Sequence, residues 1–473
     1  MGTNFRVVAG SVALVFGTAW SLNKNQSVDF TQDLNRNASV GIDAVFHNPA
    51  GVAHLATNGL HLGLGSQTLL QKRTIEESSP LLAAYGPSEY TGDIHSWVFP
   101  TLQAAYRMDD LTFFAHGGPY GGGGVGQFDQ GLPQFDNMIL GFANTIGETV
   151  KAGVDAQAGA PITSGASPVF QYKRDLSFTG DEMTLGGTAG AAYKIIPTLS
   201  VSAGYRFSYA RNAYKGSAKV SQLVMTYKGS QGVPNVVPGG YVDSTINAQA
   251  NGAFSSLWKD VAVDVVSTGV SHGVVLGADF KPDETWNVGL RFEWNGEMEI
   301  ENETKTMTAP TGLLPFLSIY ADGAKSKITE PMILAGGVSF KGVRNLTLES
   351  SWTYGFADAV DQGGAEKKYH NSLFGGLGLR YQVLSAVEVS TGYAHDWAYR
   401  NDDARTETEF DLPTNFFTAG LSVQASPRLK VHGGAMLGLG EESKAVSMAS
   451  GASQTMNSNL VTLGIGLEWS PAM

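Results

Sequence analysis

The chain has 473 residues, enough for one large barrel or several smaller domains, with 59 glycines, no cysteine and only 16% charged residues. Its net charge of −12 removes the electrostatic footprint of a nucleic-acid-binding protein, and the missing cysteines exclude a disulfide framework and thiolate metal sites. No nucleotide, metal or redox cofactor is implied by any segment.

In chain order, Arg6 supplies a minimal basic start, Val7–Phe16 a short apolar run, and Gly17-Thr18-Ala19 the small residues of a cleavage site. Residues 1–19 are expected to be a signal peptide, the run being too short to cross a bilayer as a helix. Residues 20–57 are rich in Asn, Asp, Gln and Ser and hold no amphipathic period. They form an N-terminal hatch that either hangs free or folds into the lumen as a plug, and the plug is the expectation taken here.

From residue 58 to the C-terminus at 473, segments of about a dozen residues alternate apolar and polar side chains. In Val201-Ser202-Ala203-Gly204-Tyr205-Arg206-Phe207-Ser208-Tyr209 every odd position is apolar and every even one small or charged. A strand sends successive side chains to opposite faces, so the segment has one oily and one wet face. Fourteen such strands are expected near 58–70, 97–108, 110–118, 183–194, 198–212, 269–281, 285–299, 327–340, 345–356, 372–383, 386–397, 413–425, 428–440 and 457–469. Short turns built from Pro, Gly, Asp and Ser (Met108-Asp109-Asp110, Ile196-Pro197, Lys281-Pro282-Asp283-Glu284, Lys341-Gly342-Val343-Arg344, Leu384-Ser385, Ser426-Pro427-Arg428) alternate with long links, the longest at 119–182 and 213–268. That alternation puts every short turn on one rim and every long loop on the other. It predicts an all-β protein, a 14-stranded antiparallel transmembrane β-barrel with both termini on the short-turn side and long extracellular loops, in a bacterial outer membrane.

Several stretches resemble the FadL/TodX family of outer-membrane transporters of long-chain fatty acids and aromatic hydrocarbons. They are the start Leu22-Asn23-Lys24-Asn25-Gln26-Ser27 and the motif Asn48-Pro49-Ala50-Gly51 just ahead of the first strand. Pro119-Tyr120-Gly121 after the third strand, Glu330–Val338 at the eighth and Leu412–Gly420 at the twelfth belong to the same set. The likeness runs from about residue 20 to 469, with His47 standing where an aromatic residue is common and Lys24 and Asn25 where an acidic one is usual. The resemblance implies a hatch inside the lumen, external capture of a hydrophobic ligand, an inner binding site, and lateral release into the bilayer at an inward kink of the third strand.

The residues themselves supply candidates for each part. Asn48-Pro49-Ala50-Gly51 has the rigidity and freedom of a sharp turn from hatch into barrel. Gly117, Gly118, Pro119 and Tyr120, followed by Gly121–Gly124, either kink the third strand or end it. Phe128, Leu132, Phe135, Met138, Ile139, Leu140 and Phe142 form either an exposed capture patch or the core of a self-packed loop. Strand parity turns Arg206, Arg291 and Arg380 into the lumen, since a lipid-facing Arg costs about 2–4 kcal/mol at mid-bilayer. There they either hold a ligand carboxylate or pair with Glu293, Glu349, Glu388 and Asp279, which share that face. No nucleophile elbow or phosphate loop is present, so the chain is read as a non-enzyme. Its expected partners are a hydrophobic small molecule and outer-membrane lipid, with a monomer favoured. The rival readings are a general diffusion porin for polar solutes and a surface adhesin or receptor.

Overall fold

The computed structural model describes residues 25–79, 82, 89–141, 169–171, 175–219, 224–228, 234–238, 259–310, 313–360, 369–397, 405, 407, 411–446 and 452–471. The signal peptide expected at 1–19, the first residues of the hatch and Phe142 lie outside them. The barrel wall has seventeen hydrogen-bonded segments, in which three strands are each written as two pieces around a short break. The fourteen strands are β1 (Gly59–Glu77), β2 (Glu89–Met108), β3 (Leu111–Phe128), β4 (Leu176–Ile196), β5 (Leu199–Ala218), β6 (Val261–Phe280) and β7 (Trp286–Asn295 with Glu297–Thr308). They continue as β8 (Lys325–Thr329 with Ile333–Val343), β9 (Leu346–Gly355), β10 (Ser372–Leu384), β11 (Val387–Trp397), β12 (Thr414–Ser426), β13 (Leu429–Gly440 with Ser443–Val446) and β14 (Ser453–Trp469). Each pairs antiparallel with the next, and β14 returns to β1 from Leu62↔Trp469 to Glu77↔Gln454, closing the wall.

The strands overrun their expected ends. β3 passes through the glycine run to Phe128 and β4 begins at Leu176, so part of the stretch expected as loop at 119–182 is wall. The outward face explains the extra length. On β7, Trp286, Val288, Leu290 and Trp294 face out and are exposed. Gly296 then breaks the ladder, its N–H bonding His272 O at 2.7 Å, and Glu297, Glu299 and Glu301 face out instead, with Lys327 and Lys325 beside them. Eight residues at about 3.4 Å each on a strand tilted about 40° rise about 21 Å, near the ~25 Å apolar band of such barrels. Exposed aromatic side chains mark both edges: Tyr106, Tyr193 and Trp286 toward the short turns, Trp97, Trp294 and Trp397 toward the loops. The wall therefore crosses a membrane with its lower half and projects beyond it with its upper half.

Residues 25–57 fill the lower lumen. Helix α1 (Phe30–Asp33), helix α2 (Ala44–His47) and a 3-10 turn (Pro49–His54) are almost wholly buried. The segment bonds to strands around the ring: Gln103 Nε2 donates to Gln26 O (3.3 Å), Ser200 Oγ to Ala50 O (2.7 Å), Asn287 Nδ2 to Ala38 O (2.9 Å) and Thr418 Oγ1 to Gln32 O (3.1 Å). Asn37 Nδ2 donates to Trp352 O (2.8 Å), and the Ser351 N–H donates to Asn35 Oδ1 (3.1 Å). Inward glycines make this approach possible. A Cβ on Gly289 would lie 2.1 Å from Asn37 O, one on Gly392 2.0 Å from Asp33 O, and one on Gly434 2.6 Å from Thr31 Oγ1.

Gly289→Ala with Gly392→Ala should lift the hatch without unfolding the wall, because both new methyls meet hatch backbone and overpacking of this kind costs about 1–3 kcal/mol per site. Limited proteolysis should cut the hatch at least tenfold faster, while unboiled samples still migrate as folded barrel on a denaturing gel. A hatch as protected as in the parent would show that glycine is not what seats it.

Candidate functional site: an interrupted wall above a filled floor

Ladder pairing between β2 and β3 is broken in the middle. It joins Asp93–His95 to Val125–Gln127 and Leu102–Met108 to Leu111–Gly117, and leaves Ser96–Thr101 and Gly118–Gly124 unpaired with each other. Pro100 and Pro119, on opposite lips, have no N–H to give. β3 stays attached to β4 through two register shifts, at Pro119/Gly121 and Gly122/Gly124, where Gly122 (φ 76°) and Gly124 (φ 119°) take backbone angles that residues with a side chain rarely adopt. A Cβ at Gly122 would stand 2.1 Å from Glu182 O. Of the two readings of Gly117, Gly118, Pro119 and Tyr120, the strand continues with a bulge rather than ending.

The break faces the apolar band. The β1 residues paired with its β2 lip, Ser66 to Leu69, pair on their other side with Thr462–Ile465 of β14, where Leu463 and Ile465 are exposed and outward. Trp97 (65% exposed) and Val98 (66%) project from the β2 lip itself. On the lumen side, the carboxamide of Gln26 donates to Pro119 O, and Tyr120 is buried with His116. Tyr120 Oη lies 2.8 Å from His116 Nδ1 and 2.7 Å from Thr188 Oγ1. Phe46 of the hatch packs at 5.0 Å from His116 and 5.8 Å from Tyr120, ring centre to ring centre. Aromatic rings continue across the floor through His47 and Phe30 to Phe374 and Phe416.

The three lumen arginines are all engaged by protein. Arg206 forms two parallel bonds to Glu293 (2.7 and 3.0 Å) and lies 4.5 Å above the Tyr120 ring. Arg291 donates to Phe46 O and places Nε 3.2 Å from the same Glu293 carboxylate. Arg380 bonds Asp33 of the hatch and Glu349 (3.2 Å), and Arg36 of the hatch reaches Glu349 (2.8 Å) and Asp43 (2.7 Å). Burial is the largest influence on the Asp43 carboxyl and raises it, but the charge and hydrogen bonds of Arg36, with His47, together hold the group below its ordinary range. Asn48 of the turn motif donates to Ala278 O and to Asp279 (both 3.1 Å), while Gly51 sits where a Cβ would strike Ser39 O at 2.1 Å. Asn48-Pro49-Ala50-Gly51 is thus packed between hatch and wall.

Phe128, Leu132 and Ile139 are buried, and Phe135 and Met138 half-buried, which of the two readings fits the core of a self-packed loop. Residues 133–141 are helical and cover the loop end of the lumen. Phe128 and Phe135 flank Phe178, with ring centres 6.3 and 5.9 Å away. A polar lattice holds this cap: Tyr90 donates to Asp136, Asn137 to Glu77, and Gln454 to both Glu77 (2.6 Å) and Glu407 (2.5 Å), while the Gln134 N–H donates to Glu407 (2.9 Å). Sequence periodicity could not find this lattice, whose members come from five separate links and strands. Pro100 inside a strand was the readable signal for the second lip.

Two further groupings carry no chemistry. Ser200 and Asp279 approach the same nitrogen of His54, Nε2, at 3.3 and 3.6 Å, so no proton relay can run through the ring. Asp29, His432 and Glu468 lie close enough for a metal, but the Lys430 ammonium already bonds Asp29 (3.4 Å) and Glu468 (3.0 Å). Below the hatch, a cavity of about 720 Å³ opens among Arg36, Lys281, Lys341, Glu388, Lys430 and Glu468.

Burial, with Glu77 and Asp136 nearby, pushes Glu407 up to about 8 against the bonds from Gln134 and Gln454. A carboxyl raised when the cap is closed stabilises that state fully below its ordinary value of 4.5, and the contribution is lost as pH rises through about 8. Spin labels on Gln130→Cys and Lys444→Cys should therefore report a closed cap at pH 5 and a longer, broader distance by pH 9, with Glu407→Gln staying closed throughout. A distance independent of pH would remove Glu407 as the latch.

The sequence matches no protein-family model and no curated protein. Among solved structures, the fold is similar to a Pseudomonas aeruginosa FadL homologue (TM-score 0.63, 11% identity, 96% of this chain and 99% of that one). It is also similar to the P. putida toluene transporter TodX (0.54, 13%, 92% and 95%) and to the CymD monoaromatic hydrocarbon channel (0.51, 13%, 96% and 100%). With coverage nearly complete on both sides, the chain has the fold of the FadL- and TodX-type channels.

Proposed function

We propose that the protein is a passive channel of a bacterial outer membrane for hydrophobic small molecules, which enter from the loop side and leave sideways between β2 and β3. The observation that carries this reading is the unpaired stretch of wall at Ser96–Thr101 and Gly118–Gly124, set within the apolar outward band. An opening there meets lipid tails, where an apolar ligand gains about 25 cal/mol per Å² of surface removed from water. The axial route is unfavourable for such a ligand, since the hatch fills the lower lumen and a vestibule of Arg, Lys and Glu lies beneath it. The same filling disfavours a general diffusion porin, which needs an open aqueous lumen. The fold relatives named above include a toluene transporter and a monoaromatic hydrocarbon channel, which fits this class of ligand. Transport of this kind needs no catalytic residue and no cofactor, and a single barrel contains the whole route.

Gly118→Trp should slow uptake of radiolabelled toluene by expressing cells at least tenfold, since position 118 faces Gln26 and Pro100 O across the break. Gln382→Trp, in the lower vestibule, should leave uptake within twofold of the parent at equal amounts of folded protein. The reverse pattern, with position 382 sensitive and position 118 silent, would establish axial exit and sink lateral release.

A further inference from the structure

We infer that Gly186, Thr188 and Arg206 form a clamp that parks the Tyr120 ring against β4 and so keeps it out of the opening between β2 and β3. The inference rests on lateral release as the exit route and adds the residues that hold the exit clear. Between Gly117 and Gly124 the β3 lip carries only two side chains, those of Pro119 and Tyr120. Tyr120 is therefore the one large group on this lip that can cover the opening, and where its ring lies decides whether the way is clear. It is the extra residue of the first bulge of β3: Pro119 pairs with Leu185 and Gly121 with Thr184, which leaves Tyr120 no partner on β4. A bulge re-aims the side chain it carries. Here the ring turns into the lumen and lies over Gly186 of β4, on the side away from the β2 lip.

The seat is a missing side chain. A Cβ on Gly186 would lie 2.5 Å from Tyr120 Cδ2 and 2.9 Å from Cε2, so the ring fills the space that any other residue at this position would occupy. The hydroxyl is tied to Thr188 Oγ1 (2.7 Å) on β4 and to His116 Nδ1 (2.8 Å) one turn of strand back on β3. The Arg206 guanidinium lies over the ring, 4.5 Å from its centre, a buried cation on an aromatic face. Arg206 is itself fixed, by two bonds to Glu293 (2.7 and 3.0 Å) and by Nε donating to Thr188 Oγ1 (3.2 Å). The groups that grip Tyr120 thus grip one another, and the buried Arg206–Glu293 pair acts on the lip of the opening. Gly186 and Arg206 are positioning residues for the exit.

The test is uptake of radiolabelled toluene by expressing cells at matched amounts of folded protein, with cells lacking the protein as baseline. Gly186→Ala should slow uptake at least fivefold, because the new methyl evicts the ring toward β2. Adding Tyr120→Ala to Gly186→Ala should recover at least threefold over Gly186→Ala alone. The methyl also comes within 2.9 Å of Phe207 O, a contact that the second substitution leaves in place, so recovery separates the ring from the wall. Gly186→Ala as fast as the parent, or a double variant as slow as Gly186→Ala, overturns the clamp while the channel reading stands. Should Gly186→Ala not assemble, Tyr120→Phe decides, since it keeps the ring and loses both bonds of the hydroxyl: uptake at least twofold slower supports the clamp, and an unchanged rate overturns it. Parent uptake no faster than that of cells lacking the protein overturns the channel reading, and this inference with it.

Discussion

A closed ring of fourteen strands is too wide for its inward side chains to meet, so its lumen must be either water or another piece of chain. Everything else in this molecule depends on the second choice. The hatch is buried because glycines on the inner wall let its carbonyls come within hydrogen-bonding depth of the strands, as at Gly289 and Gly392. The high glycine content is therefore a packing requirement more than a turn requirement. It leaves the wall flat where a chain must lie against it, and the hatch in turn supplies the polar groups that the lower lumen would otherwise expose.

A filled floor changes what an interruption of the wall can mean. In an open pore, a missing stretch of ladder would be a defect that costs unsatisfied backbone groups. Here the break lies directly above the hatch and inside the apolar band, with Gln26 bonded to one lip and Tyr120 folded inward behind it. Prolines on both lips remove donors that would otherwise seek partners across the gap, and Gly122 and Gly124 absorb the bend. The local chemistry lowers the cost of the very feature that the topology makes useful.

Much of this was legible in the residues. Alternation in segments such as Val201–Tyr209 fixes both the strands and the faces of Arg206, Arg291 and Arg380, because parity survives errors of a few residues at strand ends. The six short turns lie at or within two residues of their expected places, with Asp109 and Asn345 at positive φ, although the turn expected at Lys341–Arg344 falls at Arg344-Asn345 and leaves Gly342 inside β8. Strand length was not legible, because above Gly296 the outward face becomes Glu and Lys and the membrane signal disappears while the pairing continues. Nor was the fate of Phe128, Leu132 and Ile139: an apolar run in a link looks the same whether it faces water or its own strands. The cap lattice depends on Glu77, Asp136, Glu407 and Gln454 meeting in space, and no period connects residues so far apart in the chain.

The hatch is not held equally all round. On β9 and β10 it is fixed by Arg36, Asp33 and Asp43 in a buried charged network with Glu349 and Arg380. Removing one partner from such a network costs about 3–5 kcal/mol. Beside the break itself its contacts with β2 and β3 are neutral: the Gln26 carboxamide, the bond from Gln103, and the rings of Phe46 against His116 and Tyr120, while the Arg107 guanidinium of β2 bonds Leu55 O at the short-turn end. A neutral hydrogen bond contributes about 0.5–1.5 kcal/mol net, so this side yields first to any strain. In a ring of fourteen strands the β9–β10 pair stands seven positions from the β2–β3 pair, which is diametrically opposite. The stiff anchor thus lies as far as the geometry permits from the break. A displacement of the hatch is therefore partitioned toward the break, where the contacts are cheapest to lose, while the far wall keeps the lumen sealed beneath.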